Sequence, residues 1–396
     1  MSTESRRITR SFMFLYIGFY ISQIIYYGYL PATLYSYGYG ETFVGYVMTL
    51  MSASGLVLRL VIGYIIDKYS CPKALIITFF SIYAITQVIF FFMYQSVLFI
   101  TLFSLISLGL VGIVATLCDS WVVKIREVRP SVDYGRARSF GSMSYAITGL
   151  ITGQVIAAFS NSALAYFALV AWLVLISAAS SLPNPPKIDK TKGKVTIKEC
   201  LSIIIKEKAY ILMLVCSMLN SPAEIAANSY YSVIVTGKGG TSAQVGLGLF
   251  VMAFTEFWVV YFFSKIARRV GVERMFYLGL FGNAIRAFVL ALAPNATWVV
   301  IGICTQAISF ALTMPGTVLI ITKIVGIKYS TTSMQIFYVA RSLLQMGLST
   351  PLGWIAENMG INTMLYLSMI PSILGAIILM FYTERRYKTG AITVGV

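Results

Sequence analysis

The sequence predicts an all-α membrane protein with twelve transmembrane helices in two pseudo-symmetric six-helix bundles. Three observations carry that expectation. The 396-residue chain is 58% hydrophobic and only 11% charged, with a mean hydropathy of +0.82, whereas a soluble domain carries about a quarter charged residues. Its basic residues collect at one end of the apolar segments. A pattern from the first half of the chain returns in the second.

The apolar segments set the element count. A hydrocarbon core of ~30 Å takes about 20 helical residues to cross, and without water the backbone must satisfy itself within each helix. Twelve segments fit: 11–33, 42–66, 74–94, 97–123, 137–160, 162–182, 209–234, 242–264, 273–293, 296–321, 329–355 and 361–383. The polar start "MSTESRRITR" runs straight into the first. That segment is too long for a signal-peptide core and is read as retained.

The charges orient the spans. Of 30 Lys and Arg, 26 lie in, or within two residues of, the N-terminal stretch, the connections after even-numbered spans, or the C-terminal tail. The opposite side holds only Lys238, while Arg59, Arg286 and Arg341 fall within spans. The positive-inside rule then predicts a multi-pass protein of the cell membrane with both termini cytoplasmic. The formal charge of +16 is therefore a topology signal, and no nucleic-acid partner is expected.

The lysine-rich connection Pro183–Tyr210, "PNPPKIDKTKGKVTIKECLSIIIKEKAY", divides the chain into bundles over 1–182 and 209–396, joined by a cytoplasmic linker over 183–208. Gly45 to Lys68 spans 23 positions, and the matching stretch Gly246 to Arg269 also spans 23. Internal repeats of this kind are the mark of secondary transporters that alternate access around a central site.

Several function classes drop out. The chain has no histidine, which removes histidine triads, HExxH metal sites and imidazole relays. Its five cysteines (Cys71, Cys118, Cys200, Cys216, Cys304) show neither disulfide nor metal spacing. No nucleophile–base pair, metal-ligand set or phosphate loop appears, so neither an enzyme, a metal nor a cofactor is expected.

Charges inside the spans demand a reason. Glu224, Glu256, Arg286 and Arg341 fall near mid-span, where each costs about 2.5–3.5 kcal/mol on insertion scales. They must pair, protonate or face a wet cavity, and two acids with two bases make a neutral set. Asp119 lies ten residues before the hairpin at Arg129 and Arg138 nine after it, so antiparallel helices bring them to similar depth as an available ion pair. Gly141, Ser142 and Ser144 leave room beside Arg138 for a ligand. The alternative is that Arg138 snorkels to the surface, as Arg136 is expected to do. The stretches "SQIIYYGYLP" and "PAEIAANSYYS" hold equivalent places in the two halves, offering Tyr26, Tyr27, Tyr230 and Tyr231 as stacking surfaces. Pro222 is placed to loosen the seventh span beside Glu224.

At "RLVIGYIIDKYSCPKAL" the chain resembles the major facilitator superfamily, whose motif between spans 2 and 3 reads G-x-x-x-D-[RK]-x-G-[RK]-x-[RK]. Gly63, Asp67, Lys68 and Lys73 match it, while Ser70 replaces the second glycine. The resemblance implies the major facilitator fold and a gating role for these four. In the second copy Ser264 and Arg268 stand where the glycine and aspartate would be.

"DYGRARSFGSMSYAITG" is similar to the fifth helix of the lactose permease and related oligosaccharide and nucleoside proton symporters. That likeness implies that Arg138 binds a sugar and Tyr145 stacks on its ring, and it matches Glu256 to an eighth-helix acid and Arg286 to a ninth-helix arginine. The family's titratable pair on span 10 is missing: aligned on Pro315, Phe310 and Thr313 stand there. Glu256 opposed by Arg286 is then the first candidate for proton coupling, with Glu224 and Asp119 following, and Arg341 is expected to take part.

The expected protein is thus a secondary active transporter of a sugar, oligosaccharide or nucleoside, probing its solute with Asp119, Arg138, Tyr145, Tyr27, Tyr230, Tyr231 and Glu224. It is expected to run as a proton symporter, monomeric in the bilayer. The alternatives are a proton-driven exporter of amphipathic compounds, weakened because Gly141, Gly149 and Gly153 lack the exporters' accompanying proline, and an uncoupled facilitator.

Overall fold

A computed structural model describes residues 3–69, 72–129, 131–184 and 197–389. Long apolar runs with few breakers leave helix as the state that satisfies the backbone, and twelve long helical paths form among these residues. They are α1 (3–36), α2 (Glu41–Tyr69), α3 (Pro72–Met93), α4 (97–128), α5 (Tyr134–Ala158), α6 (Ala163–Ser181), α7 (208–237, with Tyr230 at an internal joint), α8 (Ser242–Val270), α9 (Val272–Leu292), α10 (296–325), α11 (Ile327–Met359) and α12 (Ile361–Lys388). A short helix, Ile197–Ile204, precedes α7. No strand occurs among the described residues.

Local chemistry starts and bends these helices. The Ser96 hydroxyl accepts from the Phe99 amide at the start of α4, and the Asn295 carbonyl oxygen from the Trp298 amide at the start of α10, both at 3.3 Å. Gly271 and Gly360 take φ of +93° and +90° to turn α8 into α9 and α11 into α12 within one residue. Regular winding fails in three places: π turns at Ile24–Tyr29 in α1 and Ser104–Leu108 in α4, and a 3₁₀ turn at Ile303–Ile308 in α10. Such turns redirect side chains and recur at functional sites.

The helices gather into two units. The first comprises 1–39, 46–191 and 241–250, the second 40–45, 192–240 and 251–396. In the first, α1 packs on α4, α5 and α6, and α3 on α4 and α6. In the second, α7 packs on α10, α11 and α12, and α9 on α10 and α12. The scheme is the same with six added to each helix number, the pseudo-symmetry that the sequence repeat predicts. Small residues let helices close up: a Cβ on Gly18 of α1 would lie 2.8 Å from Leu175 of α6, and one on Gly375 of α12 would lie 2.9 Å from the Cys216 carbonyl of α7.

Each unit is apolar inside and outside. Met213, Phe276, Leu280 and Phe337 are buried in the second unit's core, while Phe92 and Phe159 are 85% and 81% exposed. An aqueous protein would not leave so many large apolar side chains outside; a bilayer solvates them. Eight described helical stretches are long and apolar enough to cross a membrane on composition alone. The other four, α1, α4, α5 and α11, are interrupted or carry polar side chains, including Asp119, Arg138 and Arg341.

Candidate solute-binding clusters

In the first unit a polar cluster forms where α1, α4 and α5 meet. The Tyr16 hydroxyl donates to Asp119 Oδ1 at 2.5 Å. Arg138 Nε stands 4.0 Å from the same oxygen, and both side chains are about one-third exposed or slightly more. The Arg138 guanidinium lies over two rings, 4.8 Å from the centroid of Tyr20 and 5.6 Å from that of Tyr16. Tyr145 meets Tyr20 edge to face at 6.2 Å. Gly141 is what allows this: a Cβ there would sit 2.5 Å from the Tyr20 ring. The result is a cation held flat against aromatic faces, with a carboxylate beside it and part of its surface open. Such a group offers planar hydrogen-bond donors and a stacking surface together.

Tyr16 and Tyr20 are not among the residues expected from the sequence. Their signal was present: they are four apart on one helix, hence on one face, in a helix with many other tyrosines. Arg136 belongs to α5, but its side chain lies outside the described residues.

The second unit carries the other cluster. Glu224 of α7 and Arg341 of α11 form an ion pair, their side chains 19% and 23% exposed. Arg286 of α9 is fully buried. It donates through Nη1 to Gln306 Oε1 and through Nη2 to Asn228 Oδ1, the latter at 2.5 Å. Gln306, buried in the 3₁₀ segment of α10, also interacts with Glu256 of α8. Arg286 therefore faces Glu256 across an amide, and no direct ion pair between the two forms among the described residues. The neutral set expected from the sequence comes together as one pair plus one bridged pair, with Asn228 and Gln306 as unexpected members. Amides give no charge to notice in an apolar run, so nothing marked them out.

Unspent hydrogen-bonding capacity surrounds Arg286. Its Nε, the Arg341 Nε, the Tyr231 hydroxyl and Asn283 Oδ1 are buried without hydrogen-bond partners among the described residues. Buried polar atoms of this kind take a water or a ligand group. Gly282 brings α9 close enough to α10 that a Cβ there would overlap the Ile308 carbonyl. Phe310 and Thr313 follow on α10, where the Thr313 hydroxyl bonds back to the Ser309 carbonyl at 3.3 Å.

Comparison with known proteins decides the family. Residues 9–369 match the family model described as the MFS_1 like family. The chain belongs to the MFS_1 like family. The maltose permease of Geobacillus stearothermophilus is 22% identical over 349 residues, spanning 88% of this chain and 87% of the relative. An uncharacterized transporter of Bacillus subtilis (strain 168), YwbF, is 20% identical over 193 residues, 48% of this chain and 47% of that one. Among solved structures, the nucleoside transporter NupG superposes with a TM-score of 0.78 at 14% identity, covering 96% of this chain and 99% of that one. A bacterial homolog of the human lysosomal transporter Spinster, inward-facing and unoccupied, gives 0.69 at 13% identity, covering 98% of each. The protein is thus a multi-pass membrane transporter of the major facilitator type that moves a small-molecule solute, and it is not an enzyme.

In this MFS_1-like transporter a second pair of equivalent features lies away from the charges. In the first unit the Tyr29 hydroxyl donates to the Gly149 carbonyl at 2.6 Å. A Cβ on Gly246 would meet that carbonyl and the Tyr29 hydroxyl, and one on Gly153 would lie 2.5 Å from the Ser242 carbonyl. In the second unit the Tyr230 hydroxyl donates to the Ser349 carbonyl at 2.6 Å. A Cβ on Gly45 would meet Ser349 and Tyr230, and one on Gly353 would meet the Glu41 carbonyl and, at 2.7 Å, the Tyr230 hydroxyl. Each is a helix crossing clamped by a tyrosine, and the partners are offset by 200 or 201 positions throughout. The equivalence of the tyrosine-rich stretches therefore runs from Tyr29 to Tyr230, and Tyr29 was not among the four tyrosines expected. Tyr230 is 1% exposed with its hydroxyl committed.

The gating motif is partly visible. Gly63, Asp67 and Lys68 belong to α2, but their side chains, like those of Arg59, Tyr26 and Tyr27, lie outside the described residues, as does Cys71 entirely. Lys73 opens α3 and donates to the Ser180 and Leu182 carbonyls at the end of α6, at 2.7 and 3.2 Å. Its cation thus satisfies a helix C-terminus.

Proposed function

We propose that the protein is a proton-coupled symporter of a small polar organic solute, namely a sugar, oligosaccharide or nucleoside. It works by alternating access as a monomer in the cell membrane, with both termini cytoplasmic. Its halves run over 1–182 and 209–396, with 183–208 as the cytoplasmic linker. The observation that carries this reading is the Arg138 guanidinium laid over Tyr20 and Tyr16 beside Asp119. A cation, a carboxylate and aromatic faces within one cluster suit a ligand that is both flat and rich in hydroxyls.

In this reading Asp119, Arg138 and Tyr145 hold the solute from the first unit, with Tyr27 as a further contact. Glu224 and Tyr231 hold it from the second. Tyr230 serves the helix crossing instead. Glu256, Arg286 and Arg341 couple protons: a carboxylate separated from its cation by one amide is placed to exchange that cation for a proton when helices shift. Gly63, Asp67, Lys68 and Lys73 gate. The relatives' printed names, a maltose permease and a nucleoside transporter, support the solute classes. The uncoupled facilitator stays as the second reading because Phe310 and Thr313 supply no titratable group on α10.

The test is purified protein in liposomes with a panel of labelled sugars and nucleosides, with and without an imposed pH gradient. Uptake of one panel member, accelerated by the gradient, is expected. Glu256→Gln is expected to keep solute exchange and lose accumulation; accumulation equal to wild type would reject Glu256 as the coupling acid.

A further inference from the structure

A cavity of about 460 Å³ opens at the basic end of the second unit, among the ends of α7, α9, α10 and α12. It lies away from the polar cluster described above and shares no residue with it. Its inner wall is apolar, formed by Met213, Phe276, Ile320, Ile324 and Leu379. Its rim is charged: Lys206, Lys208, Lys323 and Arg386 against Glu207 and Glu273.

The charges do not cancel locally. Lys323 Nζ pairs with Glu273 Oε1 at 2.8 Å, and the Tyr387 hydroxyl donates to the other oxygen of Glu273 at 3.0 Å. Both oxygens of Glu273 are therefore engaged. Lys206 and Lys208 make no ion pair among the described residues, and Arg386 meets the hydroxyl of Tyr382 at 3.4 Å and its ring at 5.6 Å but no carboxylate among them. Set against the single carboxylate of Glu207, three cations leave a surplus of positive charge at the mouth. Helix polarity adds to it. The 22-residue first segment of α7 and the 21-residue α9 both begin here, and the Glu207 side chain does not cap α7, whose Tyr210 and Ile211 amides bond the Glu207 carbonyl. Helix starts attract anions through their free N–H groups.

We infer that this cavity is a binding site for an anionic phospholipid, its phosphodiester held by Lys206, Lys208 and Arg386 and the first part of its acyl chains against the Phe276–Ile320 wall. The apolar wall is what singles out a lipid among phosphate-bearing ligands, since a free phosphate gains nothing from it. A basic pocket between transmembrane helices near the membrane surface is the physical form that lipid headgroup sites take, and the volume lies within the range of small-molecule sites. Lipid binding here is separate from solute transport. The proposed topology enters only in making the cytoplasmic leaflet the source of the lipid.

The experiment is lipid binding to delipidated full-length protein in neutral detergent, followed by native mass spectrometry and thermal stability. Phosphatidylglycerol, phosphatidylcholine and inorganic phosphate are the probes. Phosphatidylglycerol is expected to bind and stabilise selectively over phosphatidylcholine. Its binding should weaken by about fivefold for each cation removed in Lys206→Gln, Lys208→Gln and Arg386→Gln. Ile324→Trp, which fills the cavity and leaves every charge in place, is expected to abolish the selectivity too; retention there would mean diffuse surface attraction and would overturn the site. Equal binding of both lipids, or glutamine variants that bind phosphatidylglycerol like wild type, would overturn it as well. Stabilisation by inorganic phosphate equal to that by phosphatidylglycerol would reject the lipid and leave a phosphate site. Monodisperse gel filtration of each variant separates these outcomes from misfolding.

Discussion

At the scale of single residues, Arg138 is distinguished by shape as much as by charge. A planar guanidinium can lie over Tyr20 and still present edge donors, which an ammonium cannot do. Arg138→Lys is therefore expected to weaken solute binding about tenfold, the worth of one moderately desolvated cation–π contact plus lost geometry, with the protein still folded. Tyr20→Phe should behave like wild type because the ring is kept, and Tyr20→Leu like Arg138→Lys. Equilibrium binding of the transported solute, once the liposome panel names it, checks all three. The Glu224–Arg341 pair makes a different demand. Removing one partner strands the other in a largely buried place, so Glu224→Gln or Arg341→Gln alone is expected to cost about 2 kcal/mol, and the double variant less than either single one. Thermal unfolding in detergent measures it; a double variant as poor as the sum of the singles would show that the pair is not coupled.

At the scale of elements, the glycines of α2, α5, α8 and α11 do what side chains cannot. Gly45 and Gly246 admit a neighbouring carbonyl and a tyrosine hydroxyl into the space that a Cβ would fill. Gly45→Leu and Gly246→Leu should each destabilise by about 1–3 kcal/mol through overpacking. Gly347→Leu, on α11 with nothing within 4 Å of its added Cβ, should stay within about 0.5 kcal/mol of wild type. Tyr29→Phe and Tyr230→Phe each delete one hydroxyl bond to a carbonyl, worth about 1 kcal/mol. The start of α2 also carries a pH signature. Glu357, beyond the apolar stretch of α11, accepts from the Thr42 amide at 2.9 Å, and the Thr42 hydroxyl and amide together hold its carboxyl below the usual carboxylate range. A depressed folded-state value stabilises above the ordinary range, and that contribution disappears as pH falls through the depressed value. Between about pH 7 and about pH 3, wild type should lose more thermal stability than Glu357→Gln, whose curve lacks this component.

At the scale of the whole molecule, the basic residues crowd one set of helix ends, and the positive-inside rule makes that asymmetry a statement about sidedness. In a background without the five native cysteines, Ser162→Cys between α5 and α6 is expected to react with a membrane-impermeant maleimide in intact cells. Lys265→Cys on the basic end of α8 should react only after the cells are opened. The reverse pattern would invert the proposed topology. Among the described residues eight helical stretches look membrane-spanning by composition, while twelve long helical paths are built. The four that fall short, α1, α4, α5 and α11, include those that carry Tyr16, Asp119 and Arg138 in the first unit and Arg341 in the second.

Helix number, repeat and charge asymmetry were legible in the chain because each is a sum over many residues along one dimension, and errors in single positions average out. The Asp119–Arg138 approach was legible for a related reason: counting outward from one hairpin fixes depth in two antiparallel helices. Rotation of each helix about its own axis left no such trace. Whether Arg286 meets Glu256 directly or through Gln306, which tyrosine of the first half answers Tyr230, and that Tyr16 and Tyr20 carry Arg138, depend on how closely Gly282, Gly246 and Gly141 let neighbouring helices approach. Those contacts join residues tens to hundreds of positions apart, and only the packed structure decides them.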